Sequence, residues 1–438
     1  MNDQQGDQQS LVRLLLYSNV LDIKGICVTG NKNSKDDLNT AAVYKTIEAY
    51  ATVENNLNKH ASGFPDAAYL RKAVKRGTKD SKLFGKGYDS EASDWIIKTV
   101  DNTTQPVWIC IWGGQRELAQ ALYEVKENRT VAQADSFITR IRVHAIGDQD
   151  GYKNWILENF PDIFYISDGF MNTKDKSIEE YSCYYGQYQT GNFSETHSEW
   201  VRENITTGHG PLGALYTNNT NDIKGMKELA TPTFDGLIPN GLNFPDFPEW
   251  GGYGGRFRKW KNTIYTDAQD YYFGSWNERH TVSRWRTFFQ RDLQSRLNWC
   301  TKSYVNANHN PVAIVNGDST ENYIEYSVEG GEYYTFDAST SYDPDSNQLQ
   351  YNWYIYNEPS DFSGCISLNG YDRPKIAIFI PPFALGKTLH LILEVTDNGD
   401  PYLTSFRRIL LHVNKIKMPE KKPVQKPAIP AFDLKNIE

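Results

Sequence analysis

Positive charge is in short supply in this 438-residue chain, with 46 Lys and Arg against 54 Asp and Glu and a formal net charge of -8. A binder of nucleic-acid backbones needs a basic footprint, so no nucleic-acid polymer is expected as partner. Cysteine is sparse too. The five, Cys27, Cys110, Cys183, Cys300 and Cys365, form no C-x-x-C pair, which argues against a zinc site or a thioredoxin motif. Cys27 and Cys110 sit in apolar strand-like runs and read as small core residues. No uninterrupted apolar run approaches the roughly 18 residues of a membrane span. Met1 is followed by Asn2, Asp3, Gln4 and Gln5, without the apolar region of a signal peptide. Sequons at Asn102, Asn128, Asn192, Asn204 and Asn218 lean the other way, towards secretion. Neither a Ser-His-Asp pattern nor a phosphate loop occurs.

Aromatic residues are abundant, at 13%. Their flat faces suit sugar rings, and they fill cores equally well. Leu11, Val12, Leu14 and Leu15 give a helical stripe over Ser10 to Ser18, with Asp7 at its front. Short apolar runs at Ile23–Thr29, Val107–Trp112, Ile138–Ile146 and Ile163–Ser167 read as buried parallel strands. Helical stretches lie between them, at Leu38–Leu57, Asp66–Arg76, from Ser90, after Gly114, and at Trp155–Phe160. Strand alternating with helix gives an α/β fold with a mostly parallel wound sheet over residues 1–304. Ligands then bind beyond the carboxyl ends of the strands. The residues placed there are Thr29, Gly30, Trp112, Gly113, Gly114, Gly147, Asp148, Asp150 and Asp168.

After about Tyr304 the texture changes to short alternating runs separated by Asp, Pro, Gly and Ser. An all-β sandwich over 305–414 is expected. A disordered Pro- and Lys-rich tail is expected over 415–438.

Several constellations carry chemistry or ordinary structure. Asp89, Ser90, Glu91 and Ser93 open a helix, where they cap it or hold ligand hydroxyls. Asp148 and Asp150 bind a cation or cap the next helix. His209, in Thr207-Gly208-His209-Gly210-Pro211, lies in a Gly-flanked loop suited to a site role. The densest segment is LIPNGLNFPDFPEWGGYGGR, residues 237–256. A loop this long reads as a lid or binding loop, in which Asn240, Asn243, Asp246, Glu249, Trp250 and Arg256 supply polar and stacking groups.

Taken together, these segments resemble a known family: secreted proteins named cellulose-binding, with a nucleoside-hydrolase-like domain and an immunoglobulin-like C-terminal domain. The matching pieces include GDQQSLVRLLLYSN, HASGFPDAAYL, DSEASDWII, PVWICIWGGQRELAQAL, GHGPLGALY and LIPNGLNFPDFPEWGGYGGRF. FDASTSYDPDSNQLQYNWYIY resembles the C-terminal domain, akin to polycystic-kidney-disease repeats. The resemblance implies an Asp-rich loop that holds Ca²⁺ and activates a water against a ribosyl carbon. Asp7 matches the last aspartate of that loop, and the carbonyl of Trp112 stands at another metal-ligand position. The family's opening strand and earlier aspartates have no counterpart after Met1, so a truncated start is expected. Gly6 replaces the paired aspartate, and Ala230 replaces the carboxylate of a Gly-Asp-Thr-Pro motif.

The expected function is hydrolysis of a glycosidic bond, possible N-glycosidic bonds included, in a secreted protein associated with polysaccharide such as cellulose. In that reading Asp7 and His209 are catalytic, and Asp7 and Trp112 hold the metal. Asp89, Glu91, Asn240, Glu249, Trp250 and Arg256 contact the carbohydrate or nucleoside. The alternative is a non-catalytic carbohydrate-binding protein with a degenerate pocket.

Overall fold

The structure is a computed structural model that describes residues 4–30, 38–169, 182–216 and 225–417. Its first helix, α1 (Gln4–Leu16), is sheathed by protein: Gln9, Ser10, Leu11, Val12, Arg13, Leu15 and Leu16 are all fully buried. Strand β1 (Ile26–Val28) follows, then helices α2 (Thr40–Ala51), α3 (Glu54–His60) and α4 (Ala67–Ala73). The single helix expected over 38–57 is thus two. The stretch 66–76 is likewise divided, because Val74–Arg76 leaves α4 to form β2, paired in parallel with β1.

Ser90 caps α5 (Glu91–Asp101) in a reciprocal box with Ser93, as the sequence suggested. Beyond it come β3 (Val107–Ile111), α6 (Arg116–Asn128), α7 (Val131–Ile138), β4 (Ile141–Ile146), α8 (Lys153–Asn159) and β5 (Phe164–Asp168). Helix α7 was not foreseen. Thr130 and Gln133 make a second capping box that starts it, and it takes Ile138 from the strand expected there. Four short helices follow: α9 (Ser198–Val201), α10 (Gly210–Ala214), α11 (Pro232–Asp235) and α12 (His280–Ser283). The long α13 (Arg286–Trp299) closes the domain.

The main sheet has the order β3-β4-β5-β7-β6, with β6 (Phe257–Lys261) antiparallel to β7 (Ile264–Asp267) and the other pairs parallel. Strand β3 therefore has one bonded neighbour, β4, and β1 with β2 forms a separate two-stranded sheet. The structure corrects the reading of the cysteines: Cys27 is exposed and Cys110 only half-buried. Protein still surrounds the Cys27 sulfur closely enough that burial pushes its thiol up to about 12.

A hairpin of β8 (Asp270–Tyr272) and β9 (Ser275–Asn277) precedes α12. The C-terminal strands are β10 (Ile324–Gly330), β11 (Tyr333–Asp337), β12 (Gln350–Ile355), β13 (Leu368–Asn369), β14 (Lys375–Phe379), β15 (Thr388–Thr396) and β16 (Thr404–Ile416). They form two sheets, β10-β16-β15-β12 and β11-β14-β13, around Phe336, Trp353, Ile378, Leu391 and Leu411: a β-sandwich. Strand β16 runs on to Ile416, opposite Gly330, so the tail cannot start at 415. The expectation of disorder over 418–438 lies outside the described residues, as does the sequon at Asn218.

The loop 237–256 is not a lid. It docks onto the sandwich. Arg408, fully buried on β16, donates to the carbonyls of Leu242 (3.2 and 3.1 Å) and Gly251 (2.8 Å). The Phe406 amide donates to the Asn240 carbonyl at 3.2 Å. Gly241 has φ +78°, and a Cβ there would stand 1.9 Å from the Phe406 carbonyl oxygen. A methyl group would separate the two domains at their tightest point. We predict that Gly241→Ala destabilises the protein by about 2 kcal/mol or more, through backbone strain and overpacking together. Urea denaturation measures this; a loss below about 0.5 kcal/mol would mean the joint is compliant.

Candidate functional site at the carboxyl rim of the sheet

Helix α1 delivers the polar end of the site. Asp7 is buried in its first turn, where the positive end of the helix favours a carboxylate. One turn on, Ser10 Oγ accepts a 3.0 Å bond from Thr231 Oγ1. Thr233 accepts at 3.1 Å from the indole N–H of Trp112, which stands just past β3. Ala230, fully buried, packs with Ile146 and Tyr184, against which Trp112 and Leu229 lie half-buried. The backbone N–H of Tyr184 donates to Asp168 Oδ1 at 3.1 Å, at the end of β5. A chain of contacts therefore links α1, the 230–233 turn, Trp112, the end of β4 and Asp168 along one rim.

The other expected site residues lie elsewhere. His209 packs against Leu297 near the far end of α13. Helices α1 and α13 run side by side, with Arg13 bonded to the Phe289 carbonyl and Arg296 to that of Leu16. At 1.5 Å per residue, the level of Leu297 stands about 20 Å from that of Asp7. Burial lowers the His209 pKa. Asp89 and Glu91 are exposed at the front of α5. Asp89 accepts from Gln120 at 2.9 Å, and Glu91 from the Arg76 amide at 3.1 Å and Lys75 at 3.3 Å. Glu91 braces the helix against β2, and Asp89 is tied to α6.

Of the site residues expected in the 237–256 loop, Trp250 is drawn off by the sandwich, while Asn240 and Arg256 are held within the N-terminal domain. Trp250 stacks on Phe247 with ring centres 4.0 Å apart and meets Tyr323 and His390 edge-on. Asn240 Oδ1 accepts from the amides of Leu242 and Asn243, fixing the turn. Arg256 is held by Asp270 at 2.7 Å, and Glu249 is exposed. Sequence reasoning saw stacking and polar groups correctly, but their partners are protein.

Asp148 and Asp150 chiefly cap. Asp148 accepts from the Gly151 amide at 3.0 Å and Asp150 from the Arg116 amide at 2.9 Å. Burial raises Asp150 to about 6. Gly113 (φ +119°) makes room for the Gln149 side chain, 2.5 Å from where a Cβ would sit. The glycine pair serves this close approach.

One group on the rim escaped the sequence reading. Asp267 ends β7 beside Asp168, and ligand atoms of Asp168, Cys183 and Asp267 lie within 4.8 Å of one another. The signal was an aspartate closing the run Ile264-Tyr265-Thr266, just like Asp168 after Ser167. Both carboxyls are already braced by backbone amides: Gly169 and Cys183 donate to Asp267 at 3.0 and 3.1 Å. The Cys183 sulfur faces the carbonyls of Arg256 (3.6 Å) and Ala268 (3.9 Å), and burial pushes its thiol well up. A protonated thiol is a poor metal ligand. Desolvation raises both carboxyls, and Asp168 raises Asp267 further, so the pair holds a proton where ordinary carboxylates have lost theirs. His144, 3.5 Å from Asp168, is lowered to about 3 by burial and is neutral.

Residues 1–257 match the family model "Cellulose-binding Sde182, nucleoside hydrolase-like domain". The chain belongs to this family. Residues 334–413 match the model for the C-terminal domain of the cellulose-binding protein Sde0182. A solved structure similar over the whole length is a nucleoside hydrolase-related hypothetical protein from Saccharophagus degradans, described as associated with carbohydrate metabolism. It is 33% identical, covers 94% of this chain and 98% of its own, and has a TM-score of 0.80. The PKD domain of the KIAA 1837 protein aligns at 17% identity over 22% of this chain and 84% of its own, with a TM-score of 0.17, and is not used further. No curated protein matches the chain.

The calcium implied by the family can be tested against the rim. Calcium takes about six to eight oxygen ligands. Where the family motif places a carboxylate, this chain has a methyl group among Ile146, Tyr184 and Leu229. The residues present do not reproduce the implied donor set.

The Asp168–Asp267 pair makes stability depend on pH. Its folded pKa is raised, so the folded state binds more protons than the unfolded one between about pH 4 and about pH 7. Its contribution is therefore full at the acid end and falls as pH rises. We predict that Asp267→Asn flattens this decline by roughly 1–2 kcal/mol. Urea midpoints between pH 4 and 8 measure it, and an unchanged slope would show that the pair does not share a proton.

Proposed function

We propose that this protein binds carbohydrate on a nucleoside-hydrolase-like scaffold whose rim pocket has lost hydrolytic chemistry. The observation that carries this reading is Ala230. Its side chain lies fully buried in an apolar group against Trp112, at the place of a metal-binding carboxylate. His209 stands too far from Asp7 to serve the same bond as an acid, since general acids work within hydrogen-bond reach. The half-buried Trp112 ring leaves part of a flat face open at this rim, and such a face suits a pyranose or furanose ring. The cellulose-binding family description supports a carbohydrate as the ligand, and no helix among the described residues is long and apolar enough to cross a membrane.

Glycosidic hydrolysis is the second reading. Asp7, placed at the positive end of a buried helix, favours it as the surviving carboxylate of the family loop.

Calorimetry with nucleosides and short glucans, beside hydrolysis assays with and without calcium, separates the two. The expected result is binding without turnover, weakened at least about tenfold, or 1.4 kcal/mol, in Trp112→Ala. Calcium-dependent turnover by the native chain, abolished in Asp7→Asn, would overturn the binding reading in favour of hydrolysis.

A further inference from the structure

The β8–β9 hairpin exposes three aromatic side chains that none of the described residues covers. Tyr271 is 55% exposed, Trp276 59% and Phe273 90%. Tyr271 and Trp276 are a directly opposed cross-strand pair, with ring centres 5.7 Å apart at 70°. Phe273 and Gly274 form the two-residue turn between the paired Tyr272 and Ser275, with φ +44° and +88°. A turn with both central residues left-handed favours Asn-Gly. A bulky residue at positive φ is strained there, and its ring gains nothing from burial. Solubility and turn chemistry both argue against Phe at this tip. Strain and exposed apolar surface found together mark functional positions.

The hairpin is also rigidly mounted. Asp270, fully buried at its base, is bound by Arg256 (2.7 Å), Arg284 (2.6 Å) and the Tyr356 hydroxyl (2.7 Å). The Tyr271 amide donates to Glu358 of the sandwich at 3.1 Å, and Gln269 bonds Glu278 at 2.6 Å. Rings held this way lose little freedom on binding.

We infer that Tyr271, Phe273 and Trp276 form a second carbohydrate-binding site, separate from the rim, that takes a neutral β-glucan chain. The inference rests on the carbohydrate-binding reading above for the class of ligand. The C–H faces of glucose rings stack on exposed aromatic rings. A chain with net charge -8 disfavours acidic polymers, which leaves a neutral glucan as the fitting polymer.

Retention on regenerated cellulose and on soluble cello-oligosaccharides, measured with the full chain, tests this. Tyr271→Ala with Trp276→Ala should lower cellulose retention at least tenfold and leave nucleoside binding at the rim unchanged. Phe273→Asn should also weaken retention, while its Tm stays level or rises, because Asn suits the turn. A merely structural Phe273 would give the opposite: lower Tm and unchanged retention. Full retention in the triple variant overturns the hairpin site even if rim binding persists. Loss of rim binding in Trp112→Ala with cellulose retention intact leaves the hairpin site standing and tells against the rim reading only. Concentration-dependent dimerisation removed by the same variants, with no glucan retention in the native chain, would assign the patch to a second copy and overturn the proposal.

Discussion

One fully buried guanidinium holds the N-terminal domain in register. Arg13 of α1 reaches Glu228 (2.7 Å), the carbonyl of Phe289 (3.0 Å) and the side chain of Gln290 (2.5 Å). These contacts tie α1 to α13 on one side and to the 225–235 segment on the other. The rim inherits its geometry from this tie, because Ser10 meets Thr231 on the adjoining turn of the same helix. A buried charge left without its partner is costly, so the three elements stay together or come apart together. Asp235, close by, is raised to about 8 by burial, so the ion pair of Arg13 and Glu228 carries the charge there.

The joint between the domains follows a similar logic with different groups. Among the described residues no carboxylate pairs with the Arg408 head group; the carbonyls of Leu242 and Gly251 and the Nδ1 of His390 accept its hydrogen bonds, and burial lowers its pKa to about 10. Asp270 supplies the ionic anchor, shared by Arg256, Arg284 and Tyr356 from both domains. The aromatic wedge of Phe244, Phe247, Trp250 and Tyr323 fills the space between them. Much of the aromatic wealth of the sequence is spent on this seam and on cores, and the exposed remainder is concentrated in places such as the β8–β9 hairpin.

What the sequence disclosed was local. Short apolar runs placed β3, β4 and β5, the capping residues from Ser90 placed α5, and the change of texture near Tyr304 marked the sandwich. The rim residues Trp112 and Asp168 followed from strand ends alone. Asp7 came from its position at the front of a helix and from the resemblance. Trp250, Arg256 and Asn240 were misplaced for a physical reason: a loop rich in Gly, Pro and aromatics has the same composition whether it grips a sugar or another domain. The partners that dock the loop, Arg408 and His390, lie more than a hundred residues away. His209 was read from its glycine-flanked loop, and only the helix-length offset along α13 removes it from the rim. Asp267 was missed because its strand has only four residues, too few to show a clear run.

Strand β1 leaves Cys27 in an unusual chemical position. The residue is exposed as a whole, yet the protein crowded around its sulfur pushes the thiol up to about 12. Nucleophilic attack needs the thiolate. Visibility and reactivity therefore part company at this residue: an alkylating reagent would meet it readily and label it slowly, and oxidants would find it a sluggish target.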